Sequence, residues 1–173
     1  MANVEKRFER LASAAWRASD GAVNYGGCAG FAGVVGACAR AVRAPCRTFP
    51  VVARMDEAFW RKEWARSPGP RALSKSWHIV SAVTLRGREY VVDAEYGPLE
   101  VSEFRRLWDD DLRLTLDDVH ATPRQAWLAY KHAKWWNPHF PRETMADIVR
   151  AAWGIFRPLH RVRSSRAGNV NRR

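Results

Sequence analysis

The chain has 173 residues, of which 47% are hydrophobic and nine are tryptophan, so it can bury one substantial core and is not a disordered chain. Its formal net charge of +11 is concentrated late in the chain, because residues 121–173 hold 11 Lys/Arg against 2 Asp/Glu. Cys28, Cys38 and Cys46 are odd in number and form no C-x-x-C pair, which argues against a disulfide framework and a zinc site. We therefore expect no metal and a reducing, intracellular setting.

The first quarter of the chain predicts two helices. Apolar side chains in residues 4–18 recur at the spacing of one helical face. Small residues from Cys28 to about Arg43 predict a second helix, although each of its three glycines costs about 1 kcal/mol of helix propensity relative to alanine. Glycines that are kept at this cost indicate close packing against another element.

An uncharged stretch from Gly21 to Ala39 has nearly the length that spans a bilayer. Six of its residues are glycine, and Leu and Ile are absent, so we favour a buried helix of a globular domain over a membrane span. The start of the chain also lacks the long apolar core of a secretory signal. These features favour a cytoplasmic protein with no signal peptide and no transmembrane segment.

The middle of the chain predicts a hairpin after two shorter elements. “RTFPVVAR” predicts an extended segment, “DEAFWRKEWARS” predicts a helix that opens at Asp56, and “SPGPRALSKS” predicts a loop. “SWHIVSAVTL” and “REYVVDAEY” follow and are rich in β-branched and aromatic residues. A turn at Arg86-Gly87 between them makes the hairpin the strongest strand prediction of the sequence.

The last part of the chain predicts three further helices. Ser102 is expected to open a short helix, which “DDDLRLTLDD” follows as an acidic connector. Thr122 and Pro123 suit the cap and first turn of a helix that continues to about Trp136, and Pro141 starts the last helix. The apolar stripe of that last helix consists of Met145, Ile148, Val149, Ala152 and Phe156.

The register of the hairpin relates two polar residues. If Arg86-Gly87 form a two-residue turn, His78 and Asp93 lie on the same face as diagonal neighbours. A three-residue loop would put them on opposite faces, whereas a four-residue loop would restore the shared face.

Cys28, His78 and Asp93 are together the parts of an activated cysteine. A helix N-terminus and an imidazolium both favour a thiolate, and a carboxylate orients the imidazole. The glycines before Cys28 would let a substrate approach the backbone, and the N–H of Cys28 could serve an oxyanion hole. Each residue alone also fits a structural role, but the ordered trio favours catalysis. Cys38 and Cys46 lack a glycine approach and are expected to be structural.

Three segments, “YGGCAGFA”, “ARAVRAPCR” and “WHIVSAVTLRGREYVVDAEYGP”, resemble the Cys, His and Asp core of the transglutaminase-like branch of the papain superfamily. The segments are also similar to arylamine N-acetyltransferases. The resemblance implies an α+β, papain-like fold, with N-terminal helices packed on a small antiparallel sheet and with C-terminal helices. It implies that Cys28 is the nucleophile, His78 the base and Asp93 the orienting carboxylate.

The function that this resemblance implies is that of a thiol hydrolase or acyltransferase that works through a thioester. We expect cleavage of an amide or isopeptide bond in a peptide or amide substrate if water is the acceptor, and transfer to an amine as the second outcome. We expect no cofactor. The sequence leaves the oligomeric state open.

A basic, aromatic region near the C-terminus supports a second hypothesis. “WLAYKHAKWW” interleaves rings with basic residues, and five arginines follow Pro158. Such a surface could bind nucleic acid or an anionic surface, with or without catalysis, although a tryptophan-rich core helix and a solvated tail would give the same sequence pattern.

For the domain organisation, we expect one papain-like catalytic domain at 1–157 and a basic tail at 158–173. The candidate anion contacts are Lys131, Lys134, Arg161, Arg163 and Arg166.

Overall fold

The computed structural model describes residues 2–109, 112–132 and 140–156, which form an α+β fold. The α-helices in these ranges are α1 (Ala2–Ala18), α2 (Cys28–Ala41), α3 (Glu57–Arg66), α4 (Pro70–Leu73), α5 (Val101–Trp108), α6 (Pro123–His132) and α7 (Arg142–Phe156). The strands are β1 (Cys46–Ala53), β2 (His78–Leu85), β3 (Arg88–Asp93), β4 (Gly97–Glu100) and β5 (Arg113–Thr115). They form one antiparallel sheet in the order β4-β3-β2-β1-β5.

The predicted elements of the first half are confirmed. The apolar face of α1 is buried at Phe8, Leu11 and Ala15, and α2 begins at Cys28. The extended segment is β1, and α3 directly follows Asp56. The hairpin consists of β2 and β3, as its composition predicts.

Two segments that the sequence predicts as irregular contain regular structure. The loop predicted at 67–76 includes the one-turn helix α4, because Pro70 occupies its first turn, where the missing N–H is tolerated, and the buried Leu73 anchors its end. The acidic connector includes β5, which pairs with the last residues of β1. A strand of three residues is too short to show an alternation of apolar and polar residues.

The residues around Pro98 also differ from the prediction. They form β4, which was not predicted, and a proline is tolerated there because β4 is an edge strand. Helix α5 begins at Val101 rather than at Ser102. Its cap is Glu100, whose side chain and that of Glu103 form a reciprocal capping box.

The two faces of the sheet are covered by different helices. Helix α2 lies on one face, where the Ser81 hydroxyl donates a hydrogen bond to the carbonyl oxygen of Ala32 at 2.9 Å. Helix α5 covers the other face, where Phe104 packs among Val80, Val91 and their neighbours. Because side chains alternate along β2, His78 belongs to the same face as Val80.

The glycines inside α2 bring it close to α6. A Cβ atom at Gly33 would lie 2.8 Å from Cβ of Trp127, and one at Gly36 would overlap the ring of Pro123. The close packing that the sequence indicates is therefore confirmed. Helix α2 has 14 residues, and no helix in the described part of the chain is long and apolar enough to cross a membrane.

The C-terminal helices follow their predicted caps. Thr122 and Gln125 form a capping box at the start of α6, and α7 buries Met145, Ile148, Ala152 and Phe156. Helix α6 is described to His132, so its predicted continuation to Trp136 lies outside the described residues. The predicted tail at 158–173 lies outside them as well.

Candidate active site

The hairpin brings His78 and Asp93 together as its predicted register requires. Leu85 pairs with Arg88, and the ladder continues in the same register to the pair of Ser81 and Val92. Beyond it, His78 Nε2 and Asp93 Oδ2 are 2.7 Å apart, and both side chains are almost completely buried. The prediction that these residues share a face is therefore confirmed.

Hydrogen bonds to the second carboxylate oxygen of Asp93 keep this side chain ionised. Oδ1 accepts hydrogen bonds from the N–H groups of Glu95, at 2.8 Å, and Tyr96, at 3.3 Å, and from the side-chain amide of Asn24, at 3.3 Å. Burial alone would raise the pKa of Asp93, but the hydrogen bond and charge of His78, together with the hydrogen bonds from Glu95 and Asn24, outweigh it and lower that pKa. Asp93 therefore stays negative and fixes the orientation of the imidazole.

His78 is favoured in its charged form. Burial, the largest single influence, opposes a charge on the ring, but Asp93 and the thiol of Cys28 together outweigh it, so the pKa of His78 is raised. The Trp108 ring stacks on the imidazole with centroids 4.7 Å apart and planes 11° apart. This contact covers one face of the ring, and a π-face beside an imidazolium favours the positive charge.

Cys28 approaches His78 where their two elements begin. It is the first residue of α2, is partly exposed, and lies close enough to His78 to contribute to the raised pKa of that residue. Asp93 occupies Nε2, so Nδ1 is left for the thiol. Nδ1 is buried and makes no hydrogen bond of ordinary geometry, which is common for catalytic contacts in the absence of substrate.

The three candidate residues meet at one end of the sheet, called the site end, where β1 and β3 finish and β2, β4 and β5 begin. The opposite end, called the turn end, carries the Arg86-Gly87 turn. Helix α2 begins near the site end, as shown by Ala29 and Ala32, which pack in the same cluster as Ile79. The dipole of α2 therefore directs its positive end to Cys28.

The expected role of the glycines before Cys28 needs a correction at Gly27. A Cβ atom there would lie 2.7 Å from the Phe140 ring. The missing side chain of Gly27 thus makes room for Phe140 and not for a substrate. Gly26 has a φ of +113°, which favours glycine and sets the direction of the chain into α2.

The other two thiols have different surroundings. Burial raises the pKa of Cys38 to about 12, and mainly burial raises that of Cys46 to about 11. Cys38 packs in the core between α2 and the sheet, whereas Cys46 is partly buried at the start of β1. Neither thiol affects the titration of His78. These environments suit the structural role that the sequence predicts.

Sequence reasoning missed three residues of the site: Asn24, Trp108 and Phe140. Asn24 is 69 positions from Asp93, and Trp108 is 30 positions from His78, so no local pattern relates these pairs. Asn24 stands close enough to Cys28 in the sequence to have been considered as a polar partner. No comparable signal identifies Trp108 or Phe140.

The predicted anion contacts fall mostly outside the described residues. Lys131 is exposed in the last turn of α6, while Lys134, Arg161, Arg163 and Arg166 lie in the ranges that are not described. Within the described ranges, no group of three or more His, Cys, Asp or Glu side chains could hold a metal ion.

Comparisons with protein families, with curated proteins and with solved structures found no match to this chain. The papain-like relationship is therefore a proposal.

Proposed function

We propose that this protein is a thiol-dependent hydrolase of amide or isopeptide bonds in peptide or amide substrates, with a papain-like, transglutaminase-like catalytic domain. One observation carries the proposal: His78 is held by Asp93 through Nε2 at 2.7 Å, while its other nitrogen is buried, unpaired and next to Cys28. Most buried side-chain polar atoms in proteins have a hydrogen-bond partner, so an unpaired buried ring nitrogen beside a thiol favours a catalytic role over a structural one.

The first half of the reaction forms a thioester. The thiolate of Cys28 attacks the carbonyl carbon of the substrate, and the N–H groups in the first turn of α2 face the oxyanion that develops. His78 donates its Nδ1 proton to the amide nitrogen. The C–N bond then breaks, the amine leaves, and the acyl group remains on Sγ.

The second half regenerates the thiol. His78, now neutral, accepts a proton from a water molecule as the water oxygen attacks the thioester carbon. The C–S bond breaks, a carboxylic acid is released, and Cys28 and His78 return to the thiolate and imidazolium. An amine in place of water would give acyl transfer, the second outcome that the sequence predicts.

Asp93 and Trp108 support these steps without contact with the substrate. Asp93 keeps the Nε2 proton in place, so that Nδ1 faces the thiol in every step. Trp108 covers the imidazole and limits the access of water to its bond with Asp93. The three cysteines are unpaired, which fits the reducing cytoplasmic setting expected from their number.

A small activated ester tests this chemistry without knowledge of the natural substrate. With p-nitrophenyl acetate, we expect release of p-nitrophenolate and addition of one acetyl group to Cys28, located by peptide mass spectrometry. His78→Ala should slow the acylation at least about 100-fold, within the range that general base catalysis contributes. Cys46→Ala removes a thiol elsewhere and should leave the rate unchanged. Acetylation mainly at other residues, or a rate that His78→Ala does not change, would rule out the proposed function.

A further inference from the structure

A large cavity lies between α6 and α7. Both helices pack on α2, and the space that they leave between them has a volume of about 1040 Å³. Clefts that bind small molecules typically have volumes of about 300–1000 Å³, so this cavity can hold a whole ligand of that size. Cys28, His78 and Asp93 do not line it. The cavity is therefore separate from the candidate active site.

The part of this cavity nearest to α2 is apolar and held in place. Phe140 and Met145 line the cavity and are themselves buried. A Cβ atom at Gly27 would lie 2.7 Å from the Phe140 ring, and one at Gly30 would overlap Met145, so both side chains rest directly on α2. Partly buried apolar side chains also line the cavity: Trp127, Leu128, Tyr130 and Val149. A ligand that enters it therefore meets a preformed apolar surface.

The charged side chains of the described lining are all basic. They are Lys131, His132, Arg142 and Arg150. Arg150 forms an ion pair with Asp147, whereas Lys131 and Arg142 form no ion pair within the described ranges. Lys131 lies in the last turn of α6 and Arg142 is the first residue of α7, so both belong to the end of the cavity where the chain passes between the helices. That end carries an uncompensated positive charge.

The chemistry of the lining indicates what kind of anion it suits. Besides the basic residues, the only hydrogen-bonding side-chain groups of the described lining are the Tyr130 hydroxyl and the Trp127 indole N–H. Nucleobases are recognised by hydrogen bonds to their edges as well as by stacking, and this lining holds no amide or carboxylate for that purpose. The chain's own residues 158–173 have five arginines and no acidic residue, so their charge does not complement the cavity. An apolar chain with one anionic end matches the lining better.

We propose that this cavity binds the anion of a long-chain fatty acid, with its methylene groups along the apolar lining and its carboxylate beside Lys131 and Arg142. The apolar contacts supply most of the affinity, because each buried methylene group raises it about fourfold. Each of the two cations is exposed and adds up to about fivefold. The site goes beyond the proposed thiol chemistry and does not depend on it.

Isothermal titration calorimetry of the full chain with decanoate, octanoate and decanol tests the ligand class. We expect one decanoate to bind per chain. Decanoate should bind about tenfold more tightly than octanoate, which has two methylene groups fewer. Decanol has an equally long chain without the charge and distinguishes the contribution of the cations in the variants.

Arg142→Gln gives the matched comparison with Arg124→Gln. Arg142→Gln should weaken decanoate binding about fivefold and leave decanol binding unchanged, because the alcohol has no charge. Arg124 is an exposed arginine of α6 that does not line the cavity, so Arg124→Gln should change neither ligand. Equal weakening of decanoate binding by the two variants would mean that the overall positive charge holds the anion, and the inference would be overturned.

A third variant tests whether the ligand enters the cavity. Ala146 lines the cavity from an exposed position on α7, so Ala146→Phe should fill the space without a cost to folding and weaken both decanoate and decanol at least about tenfold. An unchanged melting temperature of the unliganded variant shows that the fold is kept. Decanoate binding that Ala146→Phe does not weaken would place the ligand elsewhere and overturn the inference.

The remaining outcomes separate this inference from the proposed function. Cys28→Ala should bind decanoate as the unchanged chain does, so the cavity is tested even if Cys28 has no catalytic role. If decanoate does not bind, the inference fails and the thiol chemistry is unaffected. If a single-stranded oligothymidylate binds instead and Ala146→Phe prevents this, the cavity is a nucleic-acid site and the inference is overturned.

Discussion

The two ends of the sheet are formed by the same strands but differ in whether their polar pairs are exposed or buried. At the turn end, Arg86 and Gly87 have φ values of 53° and 78°, and the nearby ion pair of Arg88 and Glu100 is exposed. At the site end, His78 and Asp93 form a bonded pair that is almost completely buried. Desolvated polar pairs are costly unless they are well bonded, so the buried pair of His78 and Asp93 is the main physical difference between the two ends.

The largest expected difference between the ends concerns their ion pairs. Asp93→Ala leaves a buried imidazole without its partner, and removal of one member of a buried pair costs about 3–5 kcal/mol of unfolding free energy. Arg88→Ala at the turn end removes an exposed pair, which contributes about 0–1 kcal/mol. Urea denaturation near pH 7 measures both. Equal costs for the two variants would mean that the His78–Asp93 pair is solvated.

A smaller effect concerns the glycine contact that places α2, and with it Cys28, at the site end. Gly36→Ala forces a methyl group into the Pro123 ring, and such overpacking costs about 1–3 kcal/mol. Gly154→Ala in α7 meets no atom within 4 Å and should instead stabilise the protein by about 1 kcal/mol through helix propensity. Thermal unfolding compares the pair. Equal stabilisation by both variants would contradict the close packing of α2 on α6.

The dependence of stability on pH also distinguishes the two ends. The pKa of His78 is raised on folding, so its contribution is fully present below about pH 6.5 and is lost as the pH rises through the folded pKa, by up to about 1.4 kcal/mol per pH unit. His78→Gln should flatten this alkaline slope, whereas His120→Gln at an exposed position should not. Denaturation midpoints between pH 7 and 9 show the difference. If the dependence of stability on pH is the same in His78→Gln, folding does not add a proton to His78.

The smallest effect is expected from the turn itself. Gly87→Ala places a Cβ atom at a φ of +78°, which costs about 1 kcal/mol although no atom lies within 4 Å. The rate of Cys28 acetylation by p-nitrophenyl acetate should stay the same. A large change in that rate would show that the two ends are coupled.

The turn end could be predicted from the sequence because its geometry is local. The Arg86-Gly87 turn and the β-branched residues beside it determine the register, and the register alone places His78 beside Asp93. The start of α2 at Cys28 was predictable for the same reason, since glycines precede a run of small residues. The short strands β4 and β5 were not predictable, because only pairing with longer neighbours makes them strands.

The surroundings of the site could not be predicted because they come from distant parts of the chain. Trp108 reaches His78 only because β4 directs α5 back over the sheet, and Asn24 reaches Asp93 across the site end. The raised pKa of His78 is a sum of opposing influences from burial, Asp93 and Cys28. Such sums depend on the folded arrangement and have no signature in a local sequence pattern.

Alkylation of the three thiols tests the central claim, that the site end holds an activated cysteine. After brief treatment of the folded protein with iodoacetamide near pH 6, peptide mass spectrometry should show Cys28 labelled at least about tenfold more than Cys38 or Cys46, because an imidazolium beside a thiol favours the thiolate and burial suppresses the other two. His78→Ala should slow Cys28 labelling much more near pH 6 than near pH 9, where the thiolate forms without help, and Asp93→Ala should have a smaller effect. Equal labelling of all three thiols, or a rate of Cys28 alkylation that His78→Ala does not change, would contradict the account.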